Sequence, residues 1–305
     1  MEQLKYKNII TISGEDIDDL KISSEEKFDW IDFILKNKYK WDLPSKTRMP
    51  LNNADYFNVM PCAIKEEGVL GLKVVTRNEK RNLEGGLNID GDILLYEYDN
   101  FKPIALIDGA TITTMRTAAV AAHSVLNFTW KKDIISILGL GRIGTQIAEI
   151  LIDQMGGGRL KLYKYKNHAE TFSDRFKRHS NWQMQICPDY KSLMEESDVI
   201  VSAITYTEED FCSPEVYKEN CTIIPVHLRG FKRCDPIFDS IITSDLEGIK
   251  KFENYSAMKK ILYLDDVYKN LETYRPSPRT IIYNLGLAVY DIIFAKRIYE
   301  KFTGN

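Results

Sequence analysis

Ile134-Ile135-Ser136-Ile137-Leu138-Gly139-Leu140-Gly141-Arg142-Ile143-Gly144 is the stretch whose reading decides the fold. A β-branched, apolar run suited to one buried strand leads into three glycines spaced G-x-G-x-x-G, and an amphipathic segment continues through Leu151 and Ile152. Strand, glycine turn and helix in that order put the unpaired amides and positive dipole end of a helix N-terminus where a pyrophosphate can lie. The first glycine permits the tight turn, the second lets the ligand approach the backbone, and the third lets helix and strand pack closely. Gly139, Leu140, Gly141, Arg142, Ile143 and Gly144 are therefore the candidate cofactor-binding residues. The spacing alone is weak evidence, but the segments downstream of Gly144 strengthen it. A second strand is expected over Leu160 to Tyr165, a helix from about Ala169 and a strand near Gln185. A helix over Tyr190 to Glu195 and strands over Asp198 to Ile204 and Thr222 to Val226 complete the series. That alternation predicts a doubly wound parallel sheet of Rossmann type.

At the end of the second strand of such a sheet an acid normally accepts hydrogen bonds from the adenosine ribose of NAD. This chain presents Leu162-Tyr163-Lys164-Tyr165-Lys166-Asn167 instead. Lys164 stands where the acid would, and with Lys166 it would attract a 2′-phosphate. NADP(H) is thus the favoured cofactor and NAD(H) the alternative, in which case the two lysines are ordinary solvated charges.

Upstream of the glycine motif, residues 14–40 carry apolar residues at helical spacing, with Ser23, Ser24 and the glutamates after them as a capped start. From Tyr56 to Leu106 short alternating stretches, such as Gly71 to Thr76 and Asp92 to Tyr98, predict strands of a mixed sheet. Residues 111–128 read as an alanine-rich helix with threonines at its start, and the tail from Arg279 to Phe302 as one long amphipathic helix. The expected division is a substrate-binding and dimerisation domain from residues 1–118 and 285–305, and a dinucleotide-binding domain from residues 119–284.

The 305 residues carry 41 Lys and Arg against 44 Asp and Glu, a net charge of −3 with the signs interspersed, so no basic surface is expected to hold a nucleic acid. No apolar run approaches the roughly 20 residues that cross a bilayer. The start shows no secretion signal, and the five cysteines are scattered without a C-x-x-C pair, so reduced thiols, no metal site and a cytoplasmic location are expected.

Four basic residues stand in distinctive settings: Arg48 in T-R-M-P, Lys73 in G-L-K-V, Arg116 in T-T-M-R-T-A-A and Arg229 in H-L-R-G. Lys73 lies in an apolar strand and Arg116 near the start of the alanine-rich helix, and a buried cation needs an anion beside it. A substrate carboxylate is one such anion, and arginine can bind it through two parallel hydrogen bonds.

With these motifs the chain resembles the ornithine cyclodeaminase and μ-crystallin family across nearly its whole length. The resemblance is carried by R-M-P at Arg48, M-P at Met60, G-L-K at Lys73, D-G-x-x-I-T-x-x-R-T-A-A from Asp108 to Ala119, the glycine motif and the tail. It implies NAD(P)-linked chemistry at the α-carbon of an amino or imino acid, a homodimer, a carboxylate held by Arg48, Lys73 and Arg116, and Lys73 close enough to assist proton transfer. Thr117 joins the cofactor-binding set on the same ground, and Arg229 the substrate-binding set. One departure stands out. Cyclodeaminases and related alanine dehydrogenases carry a catalytic aspartate three residues before a glycine, and counting back from Gly230 puts His227 there. The segment is closer to the diaminopropionate-forming branch, which also lacks the aspartate. His227 is either a substitute general acid/base or an imidazole merely hydrogen-bonded at a strand end.

Three functions are implied, in order. The first is an oxidoreductase moving hydride between NAD(P)H and the carbon of a C–N bond in an α-amino or imino acid, by imine reduction or by oxidative cleavage of an N-substituted amino acid. The second is a cyclodeaminase, and the third a non-catalytic NADPH-dependent binding protein.

Overall fold

A computed structural model of the chain describes residues 9–41, 43–51, 55–80, 84, 89–205 and 207–304. Two compact units emerge, Met1–Arg116 with Gly286–Asn305, and Thr117–Leu285.

The first unit holds a six-stranded mixed sheet of β1 (Ile10–Ile12), β2 (Thr47–Pro50), β3 (Tyr56–Ile64), β4 (Val69–Arg77), β5 (Ile89–Glu97) and β6 (Pro103–Asp108). Their order is β1-β6-β5-β4-β3-β2, with β1 parallel to β6 and every other pair antiparallel. Helices α1 (Gly14–Asp19) and α2 (Ser24–Asn37) each open on a capping box, Ser13 with Asp16 and Ser23 with Glu26, which satisfies end amides that would otherwise lack partners. Register sorts the two faces of the sheet. Met60, Lys73, Ile93 and Ile107 lie in one row across four strands, all buried. Helix α9 (Ala288–Thr303) packs on β3, β4 and β5. The opposite face carries the row Pro61, Leu72, Leu94 and Leu106, which is half-buried except for Leu106, which is exposed.

Helix α3 runs over Gly109–Phe128 and starts in this unit. It begins two residues earlier than the threonines suggest, because Asp108 caps it: Oδ1 accepts from the Thr111 amide at 2.6 Å.

The second unit is an eight-stranded sheet, parallel throughout: β7 (Ile134–Leu138), β8 (Gly158–Tyr163), β9 (Trp182–Cys187), β10 (Val199–Ser202), β11 (Cys221–Pro225), β12 (Ser240–Thr243), β13 (Ile261–Tyr263) and β14 (Arg279–Tyr283). The order β13-β12-β14-β11-β10-β7-β8-β9 shows the winding. From β7 the chain steps outward to β8 and β9, then returns to β10 on the other side of β7. Ligands of such sheets bind at this switch point, beyond the carboxyl ends of the strands. The helices α4 (Arg142–Gln154), α5 (His168–Phe176), α6 (Tyr190–Met194), α7 (Leu246–Ile249) and α8 (Leu264–Lys269) are interspersed among the strands.

The expected single tail helix is two elements. Arg279–Tyr283 is β14, between β11 and β12, and the helix starts at Ala288. Thr280, Ile281 and Ile282 are β-branched and buried, which suits a central strand, and Gly286 separates them from the helix. Nor is α9 amphipathic at its start, since all of Ala288 to Ala295 is buried. Strand β8 ends at Tyr163, so Lys164 and Lys166 belong to the loop after it. No helix among the described residues is long and apolar enough to cross a membrane.

Candidate functional site

The glycine turn joins β7 to α4 at the switch point. Gly139 has φ +93°, a left-handed conformation that side chains resist, and a Cβ on Gly144 would lie 1.9 Å from the Gly139 carbonyl oxygen. Around Gly141, in contrast, a Cβ would meet nothing within 4 Å. No side chain caps α4, and its first internal bond is from the Thr145 amide to the Gly141 oxygen at 2.9 Å. The amides of Arg142, Ile143 and Gly144 thus begin a helix whose mouth is open, with Gly141 and Arg142 exposed and Leu140 and Ile143 half-buried. This cradle fits a pyrophosphate. Thr117 is half-buried on α3.

In the loop after β8, Lys164 is exposed and only 3.9 Å from Glu170, a solvated pair worth little. Lys166 has a left-handed φ of 51° and sets its ammonium 5.3 Å from the centre of the Tyr165 ring. No carboxylate residue stands in the Tyr163–Asn167 segment.

In the first unit the sheet and two helices bring three charged groups together. Lys73, 1% exposed, donates from Nζ to Asp291 Oδ1 at 2.7 Å and to the Thr113 hydroxyl at 2.5 Å. Arg116 donates from Nε to the same Asp291 oxygen at 3.1 Å. Thr113 in turn donates to the Gly109 carbonyl within α3. Gly71 makes this approach possible: a Cβ there would lie 2.9 Å from Ile292 Cδ1, so the glycine two residues before Lys73 on the same face lets α9 close down on β4. The Arg116 guanidinium lies over Gly286, just ahead of α9.

Burial pushes the Lys73 ammonium down to about 8; Asp291 opposes that fall and Arg116 adds to it. Burial alone would raise the Asp291 carboxyl, but Arg116 and then Lys73 outweigh it and hold the group below its ordinary value. Two cations and one anion leave one net positive charge.

Arg48 is not part of this contact set. The register Arg48–Asn58–Val75 puts it on the same sheet face as Lys73, two strands away on the edge strand β2, where it lies 4.3 Å from the centre of the Tyr56 ring.

Beyond β11 the chain turns sharply. Leu228 adopts φ 62°, unusual for a side-chain-bearing residue, and its amide donates to Pro225 at 3.0 Å. Asp210 fastens the next stretch by accepting from the amides of Lys232 at 2.8 Å and Arg233 at 2.7 Å. A cleft of about 450 Å³ opens here, lined in part by Asp210, Leu228, Arg229 and Lys232, with Arg229 exposed. Burial, then the neighbouring Arg229, pushes the half-buried His227 imidazole below its ordinary range. It is therefore neutral at physiological pH and a weak acid source.

Over residues 15–228 the chain matches the ornithine cyclodeaminase/mu-crystallin family. It belongs to that family. The ketimine reductase mu-crystallin of Mus musculus is 24% identical over 277 residues, covering 86% of each chain. A Δ1-pyrroline-2-carboxylate reductase of Bacillus cereus is 23% identical over 277 residues, covering 85% of each. Among solved structures, the Thermococcus litoralis Δ1-pyrroline-2-carboxylate reductase in complex with NADH and L-proline has the same fold, with a TM-score of 0.82 at 20% identity over 97% of this chain and 98% of that one.

Membership of the ornithine cyclodeaminase/mu-crystallin family places the motif-bearing residues in context, but two participants in the buried cluster escape a reading of the sequence. Thr113 is one and Asp291 the other. The available signal for Asp291 is a lone acid inside the apolar run Ala288-Val289-Tyr290-Asp291-Ile292-Ile293-Phe294-Ala295, which by itself demands a buried cation. The anion expected beside Lys73 and Arg116 is, in this structure, supplied by the protein.

Proposed function

We propose that the chain is an NAD(P)H-dependent reductase of cyclic imino acids, the class of the Δ1-pyrroline-2-carboxylate named in one group of its relatives and consistent with the ketimine reductase named in another. The observation that carries this reading is the buried Lys73–Asp291–Arg116 cluster, whose net positive charge suits one carboxylate. A bound reduced nicotinamide supplies the hydride. The amides that open α4 would hold the pyrophosphate, and Thr117 would join them in binding the cofactor. Arg116, Lys73 and, from the edge strand, Arg48 fix the carboxylate and so the α-carbon attached to it. Lys73, which holds a proton up to about pH 8, would be the donor to the imine nitrogen. Within the second unit, His227 offers a hydrogen-bonding imidazole whose charged form burial and Arg229 disfavour, and Arg229 offers an anion contact in the cleft beyond β11. Cyclodeamination requires a carboxylate where His227 stands, so the net reductase is preferred.

Lys164 and Lys166, with no acid in the loop after β8, support NADP(H) over NAD(H). Oxidation of NADPH and of NADH, followed by absorbance with Δ1-pyrroline-2-carboxylate and its six-membered homologue, tests both points. Turnover with a lower KM for NADPH is expected. Equal KM values refute the cofactor preference, and cofactor binding without turnover favours the binding-protein reading.

The reading includes a homodimer through the first unit. Its support is the apolar row Pro61, Leu72, Leu94 and Leu106 on the sheet face opposite Lys73, which is half-buried or exposed in the single chain, so that covering it removes further apolar surface from water. Light scattering at micromolar concentration is expected to give twice the chain mass; a monomer mass contradicts it. The five cysteines, all thiols, fit a cytoplasmic setting.

A further inference from the structure

Asp291 is fully buried, it carries both cations of the cluster on one oxygen, and its other oxygen, Oδ2, accepts no hydrogen bond from any described residue. A buried carboxylate is costly unless it serves to compensate charge. Its neighbours define what it compensates. Facing Lys73 are Asp291 from α9, Arg116 and the Thr113 hydroxyl from α3, and the apolar Met60 and Ile93 from β3 and β5. The remaining titratable neighbour of the carboxylate is the Cys62 thiol of β3, which burial and then Asp291 push up to about 12, so it is uncharged over the working range. Asp291 is thus the only anion beside the buried Lys73 and the partly buried Arg116, among the described residues.

We propose that Asp291 is a positioning residue: it holds the Lys73 ammonium and the Arg116 guanidinium side by side on one oxygen and sets the cluster to accept a single carboxylate. Without that negative charge, Lys73 faces only burial and Arg116, and both disfavour its ammonium. The cluster then loses its proton donor and the ammonium contact to the substrate carboxylate at the same time, although its net charge, now that of Arg116 alone, is unchanged. The bearing on imino-acid reduction rests on the function proposed above; the coupling between Asp291 and Lys73 does not.

The test is ¹⁵Nζ NMR titration of lysine-labelled protein saturated with NADPH, with Lys73 assigned by Lys73→Arg. In wild type Lys73 is expected to titrate near pH 8. In Asp291→Asn, which keeps the shape and removes the charge, the midpoint is expected to fall by about 1 to 3 pH units. Asp291→Glu restores the charge and is expected to return the midpoint toward wild type, and Asp291→Ser, smaller and also uncharged, takes the place of the asparagine variant if that does not fold. Binding of pyrrole-2-carboxylate, an unreactive planar carboxylate, should weaken at pH 7.5 in Asp291→Asn and recover in Asp291→Glu. A Lys73 midpoint unmoved by Asp291→Asn, or displaced in Asp291→Glu as far as in Asp291→Asn, overturns the proposal. If Lys73 follows Asp291 but no imino acid is turned over, the coupling stands and the reductase reading fails. If the enzyme is active and Lys73 is indifferent to Asp291, the reverse holds.

Discussion

Lys73→Met and Arg116→Gln are each expected to lower kcat/KM for a cyclic imino acid by about 30- to 5,000-fold, equivalent to ~2–5 kcal/mol for one partner of a buried, charge-assisted contact. The two losses differ in kind. Arg116→Gln removes a carboxylate anchor and leaves Lys73 on Asp291 at 2.7 Å, so KM should rise while the alkaline fall in rate persists, displaced to higher pH because Arg116 no longer disfavours the ammonium. Lys73→Met removes the proton donor as well, so kcat falls and the alkaline limb disappears. Each variant leaves the cofactor cradle untouched, and NADPH affinity should equal that of wild type by calorimetry. His227→Asn is the comparison: the neutral imidazole should cost kcat about 10²-fold while the limb near pH 8 stays in place. If the limb vanishes in His227→Asn and survives in Lys73→Met, the proton comes from the histidine and the assignment is reversed.

The second large effect concerns the glycine turn. Gly141→Ala adds a methyl group into space that is open in the structure, so the fold has no reason to lose stability and the melting temperature should not change. The same methyl group stands where a pyrophosphate must meet the α4 amides. Hydrogen bonds to a charged group are worth ~1.5–3 kcal/mol, so NADPH affinity is expected to fall about 10- to 150-fold. Gly144→Ala should behave differently, because its Cβ would collide with the Gly139 carbonyl at 1.9 Å and the helix must shift. Loss of affinity there comes with a lower melting temperature. Calorimetry and thermal denaturation of the pair separate a ligand-facing glycine from a packing glycine. Undiminished NADPH binding in Gly141→Ala contradicts the cradle.

The parallel sheet is legible in the sequence because its information is local: β7, the glycines and α4 are contiguous, and the βα alternation after them repeats at short range. The tail misleads for the opposite reason. Arg279–Tyr283 is too short to show a period of its own; Pro276 and Pro278 before it and Asn284 and Gly286 after it are the signals that could have set it apart, and its pairing partners β11 and β12 lie 40 to 60 residues away. In the site, Lys73 and Arg116 can be chosen as buried cations in want of an anion, but the chain does not say which anion. Asp291 lies 218 residues from Lys73, and only the seating of α9 over Gly71 brings them together. The charge arithmetic changes accordingly. Two uncompensated cations would suit a dianion, whereas the observed cluster suits one carboxylate. His227 shows the same limit, since its place in the motif is readable but its neutrality depends on burial and on Arg229.

The most direct test of the central claim tracks the hydride itself. Cofactor deuterated at C4 on the transferred face is mixed with a five-membered cyclic imino acid and the protein, and the product is read by mass spectrometry and ¹H NMR. Reduction by hydride transfer to the imine carbon predicts a cyclic amino acid carrying one deuterium at the α-carbon, with one equivalent of oxidised cofactor. Cofactor that stays reduced in a complex saturated with both ligands, or product without deuterium at that carbon, would contradict it.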